Sequence, residues 1–481
     1  MTLTRRFILF TLLISMTLSL AACSVEDIPA PAVTHDSAVT EDIPIPEPEP
    51  EFVGYTGTMN GYEYRYESGR DREWEEDILY LAQHCLDHHP RLTEKCWLYG
   101  DAAGYTLEYF DADLRAEFIH DTDELILSLP DLDEVAIKFE LSRIANILGD
   151  GHTRFFISGE SRYFPLFFKI LYDGETPDVY TVAVPKDQPD IIFAKLSAIN
   201  GVSVDEIIED LLPYTYGDND YWKRYIIVES TRFLVKRDML ALIGVMDADD
   251  EEAEFSFVTD GGEDVNVMLP VLTGSDSRKN LLNKTFAAIG NLMSKNSDLN
   301  YWQEYLADDN IEYIRYNHCF EREDLSYSDF WYEIMMNIRG ADTPPKVVFD
   351  LRGNGGGHFP PQGIGGFIAS LKMVDISGLY VLIDQGVFSS ASAITAMLKQ
   401  DIEGTVTVGT PAGQSANLFG PANSFKFPNH KDLGFDMSDR QYVWWEGYEE
   451  YTIMPDITVY QTLDDYKNGI DTVLEAVKGY E

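Results

Sequence analysis

The chain has few basic residues, few cysteines and no long apolar run beyond its first 22 residues. Lysine and arginine contribute 36 of 481 residues against 82 aspartates and glutamates, which gives a formal net charge of −46. Such an acidic folded body repels nucleic acid and anionic lipid, so neither is expected to bind it. No later run reaches the roughly 18 apolar residues of a membrane span. The remaining composition, 45% hydrophobic and 25% charged, is that of a globular chain with room for two or three domains.

The small number of cysteines restricts the possible disulfides. One of the four, Cys23, lies at the end of the N-terminal apolar run, which leaves Cys85, Cys96 and Cys319 in the body. In an exported chain Cys85 and Cys96 are the only pair close enough in sequence to be joined locally. An odd number leaves at least one free thiol, and three buried free thiols are an equal alternative.

The N-terminus has the pattern of a bacterial lipoprotein signal. Arg5 and Arg6 precede an apolar run over Phe7–Leu20, and the sequence LAAC follows at 20–23. The run is too short for a spanning helix, and LAAC resembles the lipobox that is cleaved before a lipidated cysteine. We therefore expect a signal peptide over 1–22 and a lipid anchor at Cys23, on a protein exported to the outer side of the cell membrane. The alternative is a secreted protein that has a cysteine at this position by chance.

The body follows a spacer and divides into three predicted parts. Residues 23–60 are rich in proline and acidic residues and predict an extended linker. Residues 61–158 have helical periodicity and end in the turn sequence GDGHT. Residues 159–285 have strand composition around an Asn-Gly turn and a short helix, and 286–481 alternate strands with helices as an α/β domain does.

The stretch from Lys346 to Gly420 contains the residue types of an acyl-transfer site. A buried strand is predicted at 347–351, and it leads into the glycine-rich sequence GNGGG at 353–357. A second strand at 380–384 precedes Ser389, which stands where a helix begins. Glycine loops and helix N-termini present backbone N–H groups that stabilise an oxyanion. The competing interpretation is that Ser389 only caps the helix.

A serine hydroxyl needs a base, and His152 on the GDGHT turn is the candidate. A metal site at the upstream cluster that contains His84 and His88 is an alternative use of histidine. It lacks a second set of ligands at zinc-type spacing, so no metal is expected.

Several motifs in order resemble the S41 family of serine peptidases, the tail-specific, C-terminal-processing and tricorn-like group. They are DGHT at 150–153, DLRGNGGG at 350–357, FSSAS at 388–392 and GTPAGQSANLFG at 409–420. The resemblance extends from about residue 70 to the C-terminus. It implies an α/β (mixed α+β) fold, with a ClpP/crotonase-like catalytic domain, a helical N-terminal segment and a PDZ-like α+β middle region.

The resemblance also implies roles for individual residues. C-terminal-processing members use a lysine where this chain has Gly413-Gln414-Ser415, so the pattern is more similar to the tricorn-like members. In that comparison Ser389 is the nucleophile and His152 the base. An oxyanion hole is implied at Gly355 or Gly356 with the Ser390 amide. Glu446, with Glu449 as second choice, is implied as the carboxylate that orients the histidine.

The sequence thus predicts an exported, membrane-anchored serine endopeptidase that acts on a protein or peptide and needs no metal or cofactor. The alternative is a non-catalytic lipoprotein of the same fold that binds a peptide or a small hydrophobic ligand. The substrate, the cleavage preference and the oligomeric state are not predicted.

Overall fold

A computed structural model describes residues 57–59, 61–93, 97–99, 110–155, 162–358 and 361–480, all within one compact unit. The signal sequence, Cys23, most of the spacer and Cys96 lie outside these residues. In the described part no helix is long and apolar enough to cross a membrane.

The N-terminal part is helical, as the periodicity predicts. Its elements are α1 (Arg70–His88), β1 (Trp97–Tyr99), α2 (Ala112–Ser128), α3 (Glu134–Asn146) and β2 (Arg154–Phe155). Asp111 and Asp133 cap α2 and α3 by accepting the N–H of Leu114 and Ala136. The apolar faces of the three helices share one core with Phe435 and its neighbours near the C-terminus.

The middle part is an antiparallel sheet with short helices. Its elements are β3 (Arg162–Tyr163), β4 (Phe167–Asp173), β5 (Thr176–Pro185), β6 (Lys195–Ile199), β7 (Val202–Ser203), α4 (Val204–Leu211), α5 (Asp220–Tyr225), α6 (Arg237–Leu242), β8 (Glu252–Val258), β9 (Asp264–Pro270), β10 (Leu272–Thr273), β11 (Leu281–Asn283) and α7 (Phe286–Ile289). Seven strands form one sheet in the order β11-β5-β6-β8-β9, with β4 on β5 and β7 on β6.

The predicted strand, turn and helix of this part are confirmed. Asn200 and Gly201 have φ values of 47° and 80°, the left-handed conformation that a tight hairpin between β6 and β7 requires. The Ser203 hydroxyl then accepts the Glu206 N–H and caps α4. The PDZ-like character and the domain boundaries stay predictions.

The C-terminal part is built on a mostly parallel sheet. Its elements are β12 (Tyr301–Leu306), β13 (Ile311–Tyr316), α8 (Tyr327–Gly340), β14 (Lys346–Asp350), α9 (Pro361–Leu371), β15 (Gly378–Ile383), α10 (Ser390–Asp401), β16 (Val406–Gly409), β17 (Asn417–Gly420), β18 (Asn423–Lys426), β19 (Gly434–Met437), β20 (Arg440–Val443), β21 (Ile457–Thr458), α11 (Leu463–Lys467) and α12 (Thr472–Gly479). The sheet order is β12-β13-β14-β15-β16-β21, and only β12 runs antiparallel to its neighbour. Strands β14 and β15 are apolar almost throughout because elements cover both faces.

The sequence also predicts that RQYVWWEG and DITVY form a strand pair and that residues 463–477 form one closing helix, and both predictions are wrong. The sequences RQYVWWEG and DITVY do not form a strand pair, because β20 lies between β1 and β17 whereas β21 lies beside β16. The predicted closing helix over 463–477 is two helices, since Gly469, at φ 73°, interrupts it.

The two ends of the body are joined by strand pairing. Strand β1 pairs in parallel with β20, and β2 pairs with β19 through Phe155 opposite Phe435. Because β2 directly follows the turn that contains His152, this pairing fixes the histidine segment against the C-terminal part.

Candidate active site

Ser389 lies at the corner between β15 and α10. Its backbone has φ 55° and ψ −124°, a conformation that costs a non-glycine residue about 1–3 kcal/mol and is concentrated at functional sites. Although Ser389 is the N-cap residue of α10, its side chain makes no capping bond. Its Oγ instead lies 2.8 Å from Nε2 of His152. The geometry therefore favours a reactive serine over the capping interpretation.

His152 is held in place by aromatic packing. Its ring centroid lies 4.9 Å from that of Phe388, which in turn stacks on Trp222 at 4.2 Å. The preceding residue must be glycine, because a Cβ on Gly151 would lie 2.5 Å from the Phe388 ring. The imidazole side chain is 12% exposed, so solvent reaches it only in part.

Asp150 is the carboxylate nearest to the second ring nitrogen of His152. It is fully buried, and its Oδ1 accepts the His152 N–H at 2.9 Å and lies 3.8 Å from Nδ1. Its Oδ2 accepts the Thr153 hydroxyl at 2.7 Å and faces His89 Nε2 at 3.3 Å. Burial acts to raise the pKa of Asp150, but hydrogen bonds and charge interactions with His152 and His89 hold it well below its ordinary value. The group is therefore an anion beside the imidazole.

The glutamates expected to orient the histidine do not reach it. Glu446 and Glu449 are both exposed, and within the described residues neither forms a hydrogen bond or ion pair with His152. The cause is local, since Asn417 Nδ2 donates to the carbonyls of Trp445 and Tyr448 and holds this turn against β17. Asp150, two residues before the histidine, occupies the place expected for the glutamate. The sequence could have indicated Asp150, because this residue begins the DGHT motif that contains His152.

The glycine loop packs directly on the serine. A Cβ on Gly356, whose φ is 95°, would lie 2.6 Å from the Ser389 Cβ and 3.0 Å from the Ser390 nitrogen. The Gly356 N–H already donates to Asn354 Oδ1 at 2.9 Å, so it is not free for an oxyanion. The Gly355 and Ser390 amides have no acceptor in the described residues. Of the predicted oxyanion donors, these two keep a free N–H.

A buried ionic network supports the base of this loop. Arg352 donates to both oxygens of Asp471 at 2.7 and 2.6 Å and also bonds Asp350, and Arg315 bonds Asp350 at 3.1 Å. Burial opposes ionisation of Asp350, yet Arg352 and Arg315 lower its pKa to about 2. The loop is thereby tied to α12.

Sequence reasoning missed two residues beside the site, Asp218 and Gln414. Gln414 Oε1 accepts the Ser389 N–H at 2.6 Å, and its Nε2 donates to Asp218 Oδ2 at 2.9 Å. The sequence motifs had singled out the segment 413–415 only because it lacks a lysine. No pattern in the sequence indicated Asp218.

The remaining candidates lie apart from the site or outside the described residues. His84 Nδ1 bonds the Tyr80 carbonyl at 2.7 Å, and Cys85 and Cys319 are buried free thiols. Burial raises the pKa of Cys319 to about 12, so this thiol is not reactive near neutral pH. The proposed lipidation site, Cys23, and the partner proposed for Cys85, Cys96, are not among the described residues.

The fold of the chain matches solved structures, whereas its sequence matches no known family or curated protein. No protein-family model and no curated protein sequence matches the chain. The crystal structure of mature CPAF superposes with a TM-score of 0.58 and 14% identity, over 85% of this chain and 96% of that one. Mature CPAF complexed with lactacystin gives a TM-score of 0.56, again at 14% identity over 85% and 98% of the two chains.

A putative S41 protease from Bacteroides fragilis NCTC 9343 aligns over 86% of this chain and 98% of its own, at 11% identity. Its TM-score of 0.35 is too low to support an argument. The CPAF matches cover nearly the whole of that protein and 85% of this chain. The chain has an S41-like peptidase fold.

Proposed function

We propose that the chain is a serine endopeptidase that hydrolyses peptide bonds with Ser389 as nucleophile and His152 as general base. The observation that supports this most strongly is the 2.8 Å contact between Ser389 Oγ and His152 Nε2, formed by a serine in a strained backbone conformation. A structural serine gains nothing from that strain, whereas a nucleophile gains exposure at the corner of strand and helix.

The proposed reaction proceeds in two halves. His152 Nε2 removes the Ser389 proton as Oγ attacks the peptide carbonyl, and the resulting oxyanion accepts the N–H of Ser390 and of Gly355. The imidazolium then protonates the leaving amine, which breaks the C–N bond and leaves an acyl ester on Ser389. His152 then deprotonates a water molecule, which attacks the ester. The imidazolium returns this proton to Ser389 Oγ as the carboxylic acid product leaves.

Asp150 contributes to the proposed reaction by its charge. A buried anion 3.8 Å from Nδ1 stabilises the imidazolium that forms when His152 accepts the proton. Since Nδ1 has no hydrogen-bond partner in the described residues, closure of this distance on substrate binding would complete the pair.

Labelling and hydrolysis test the nucleophile together. We expect a fluorophosphonate probe to label the wild-type body and casein peptides to be cleaved, and Ser389→Ala to lose labelling and at least about 10⁴-fold in kcat. Ser392→Ala is the matched control, because Ser392 lies on the same helix and its hydroxyl faces the Val387 carbonyl. Full cleavage by Ser389→Ala would refute the assignment. Absence of labelling and cleavage in the wild type would favour the alternative, a binding protein of this fold.

The proposal includes export and a lipid anchor. Its support is the basic, apolar and LAAC sequence that ends at Cys23, followed by a proline-rich spacer. We expect radiolabelled palmitate to enter the wild-type protein and membrane fractions to retain it. Cys23→Ala should abolish both, and retention of the label would contradict the anchor.

A further inference from the structure

Asp218 connects the two segments that hold the proposed base and nucleophile. Its Oδ1 accepts the N–H of Gly151, the residue before His152, at 2.7 Å. Its Oδ2 accepts Gln414 Nε2 at 2.9 Å, and Gln414 Oε1 accepts the Ser389 N–H at 2.6 Å. A continuous chain of hydrogen bonds therefore runs from the histidine turn to the serine corner through a loop of the middle part.

The surrounding packing fixes this chain in place. Gln414 is fully buried, so neither end of its amide has water as a substitute partner. The next residue in the loop, Asn219, donates from Nδ2 to the carbonyls of Ala412 at 3.4 Å and Tyr451 at 3.3 Å. Trp222, at the start of the following helix, leaves no room for a side chain at Gly413, where a Cβ would lie 2.7 Å from the indole. The loop and the segment that contains Gln414 are thus held together at three points.

We propose that Asp218, acting through Gln414, is a positioning residue that holds His152 and Ser389 at reacting distance. This inference rests on the proposed peptidase function and adds a residue to it. Positioning within fractions of an ångström is decisive, because a displacement of about 1 Å can cost about 10²-fold in rate.

The hydrogen-bond directions make the chain dependent on the charge of Asp218. Both carboxylate oxygens accept N–H groups, so a proton on either oxygen would weaken its hydrogen bond with Gly151 or Gln414. If the Gln414 amide turned to accept that proton, its NH₂ group would face the Ser389 N–H, donor against donor. Only the ionised carboxylate satisfies every partner.

The ionisation of Asp218 falls in the working range of pH. Burial, together with the charge of Asp150, raises the pKa of Asp218 to about 7, while His152 and the two hydrogen bonds act in the opposite direction. Among the described residues, Lys223 on the helix that follows also interacts with the charge of Asp218. We therefore expect log(kcat/KM) to fall more steeply at acid pH in the wild type than in a variant whose residue 218 does not titrate.

An exchange of acid and amide between positions 218 and 414 tests the inference. In Asp218→Asn the new amide N–H₂ meets Gln414 Nε2. In Gln414→Glu, assayed above the pH at which the acid pair shares a proton, two carboxylates face each other. Each single variant should lose about 10–10² in kcat with KM within about twofold, because the reacting groups shift and the substrate site does not. In the double variant the amide at 218 accepts from Gly151 and donates to the carboxylate at 414, which still accepts the Ser389 N–H. It should recover to within about threefold of wild type.

The pH profile and a neighbouring control separate positioning from folding. Asp218→Asn should make the acid fall of log(kcat/KM) shallower, which loss of stability alone does not do. Asp220→Asn, at an exposed acid that begins the following helix α5, should keep the wild-type kcat and pH profile. Thermal unfolding of all variants shows whether each is folded at the assay temperature.

Two results would overturn the inference while leaving the peptidase proposal intact. The first is an active wild type together with two single variants whose kcat lies within twofold of the wild-type value. The second is a folded double variant whose kcat stays as low as that of the single variants. A wild type with neither labelling nor cleavage would instead refute the proposed function, and the inference with it.

Discussion

Substitution of Gly356 by alanine tests whether the glycine loop exists to let the backbone approach Ser389. The added Cβ would lie 2.6 Å from the Ser389 Cβ, about 0.8 Å short of the 3.4 Å at which ordinary contact begins. It would also lie 2.9 Å from the Phe388 carbonyl oxygen, at a φ of 95° that L-residues rarely adopt. Ser389 or the loop must therefore move by most of an ångström.

A shift of that size should reduce kcat by about 10²-fold, and the backbone strain should lower the free energy of unfolding by about 1–3 kcal/mol. The assays are peptide hydrolysis, the rate of fluorophosphonate labelling and urea unfolding. Gly365→Ala is the control, because it lies within α9 and its Cβ would meet nothing within 4 Å. It should keep activity and gain about 0.5–1 kcal/mol in stability. A folded Gly356→Ala variant with more than a tenth of wild-type kcat would refute the close-packing argument.

Three further predictions concern stability. Asp471→Asn removes a buried bidentate partner of Arg352 and should lower the free energy of unfolding by about 3 kcal/mol in urea titration, with the exposed Asp464→Asn as control. Burial raises the pKa of Glu312 to about 7. The protonated carboxyl therefore contributes its full stabilisation below pH 4.5, and this stabilisation is lost as the pH rises through 7. Glu312→Gln should remove this loss of about 3 kcal/mol in the free energy of unfolding. An equal pH dependence of unfolding in the wild type and in Glu312→Gln would contradict the prediction. Ser389→Gly and Ser389→Ala should both be inactive. The free energy of unfolding should be about 1 kcal/mol higher for the glycine variant than for the alanine variant, because glycine adopts a φ of 55° without strain. Equal stability of the two would show that the conformation stores no strain.

Local patterns determined the elements around the site. Val347–Phe349 are apolar and β-branched or aromatic, so they predicted a strand, and the structure has one at Lys346–Asp350. Ser389 was expected at the start of a helix, and α10 begins at the next residue. Such features depend on propensity, periodicity and turn residues within a few positions of each other.

The pairing of Ser389 with His152 was expected from residue chemistry and from motif order. Neither gives a distance, and the 2.8 Å contact between residues 237 positions apart depends on β2 pairing with β19 and on aromatic packing around Phe388. Chemistry limits which residues can react together, whereas their separation in space depends on the whole set of tertiary contacts.

The residues around the Ser389–His152 pair were decided by tertiary structure alone. Glu446 and Asp150 are both acidic and both lie near recognisable motifs, but only Asp150 comes within 3.8 Å of the imidazole. Asp218 had no local signal, because its two hydrogen-bond partners lie 67 and 196 positions away in the sequence. The sequence by itself determined which side chains are candidates for acyl transfer. The tertiary structure decided which carboxylates stand beside them, because long-range packing is a property of many weak contacts and leaves no mark at a single position.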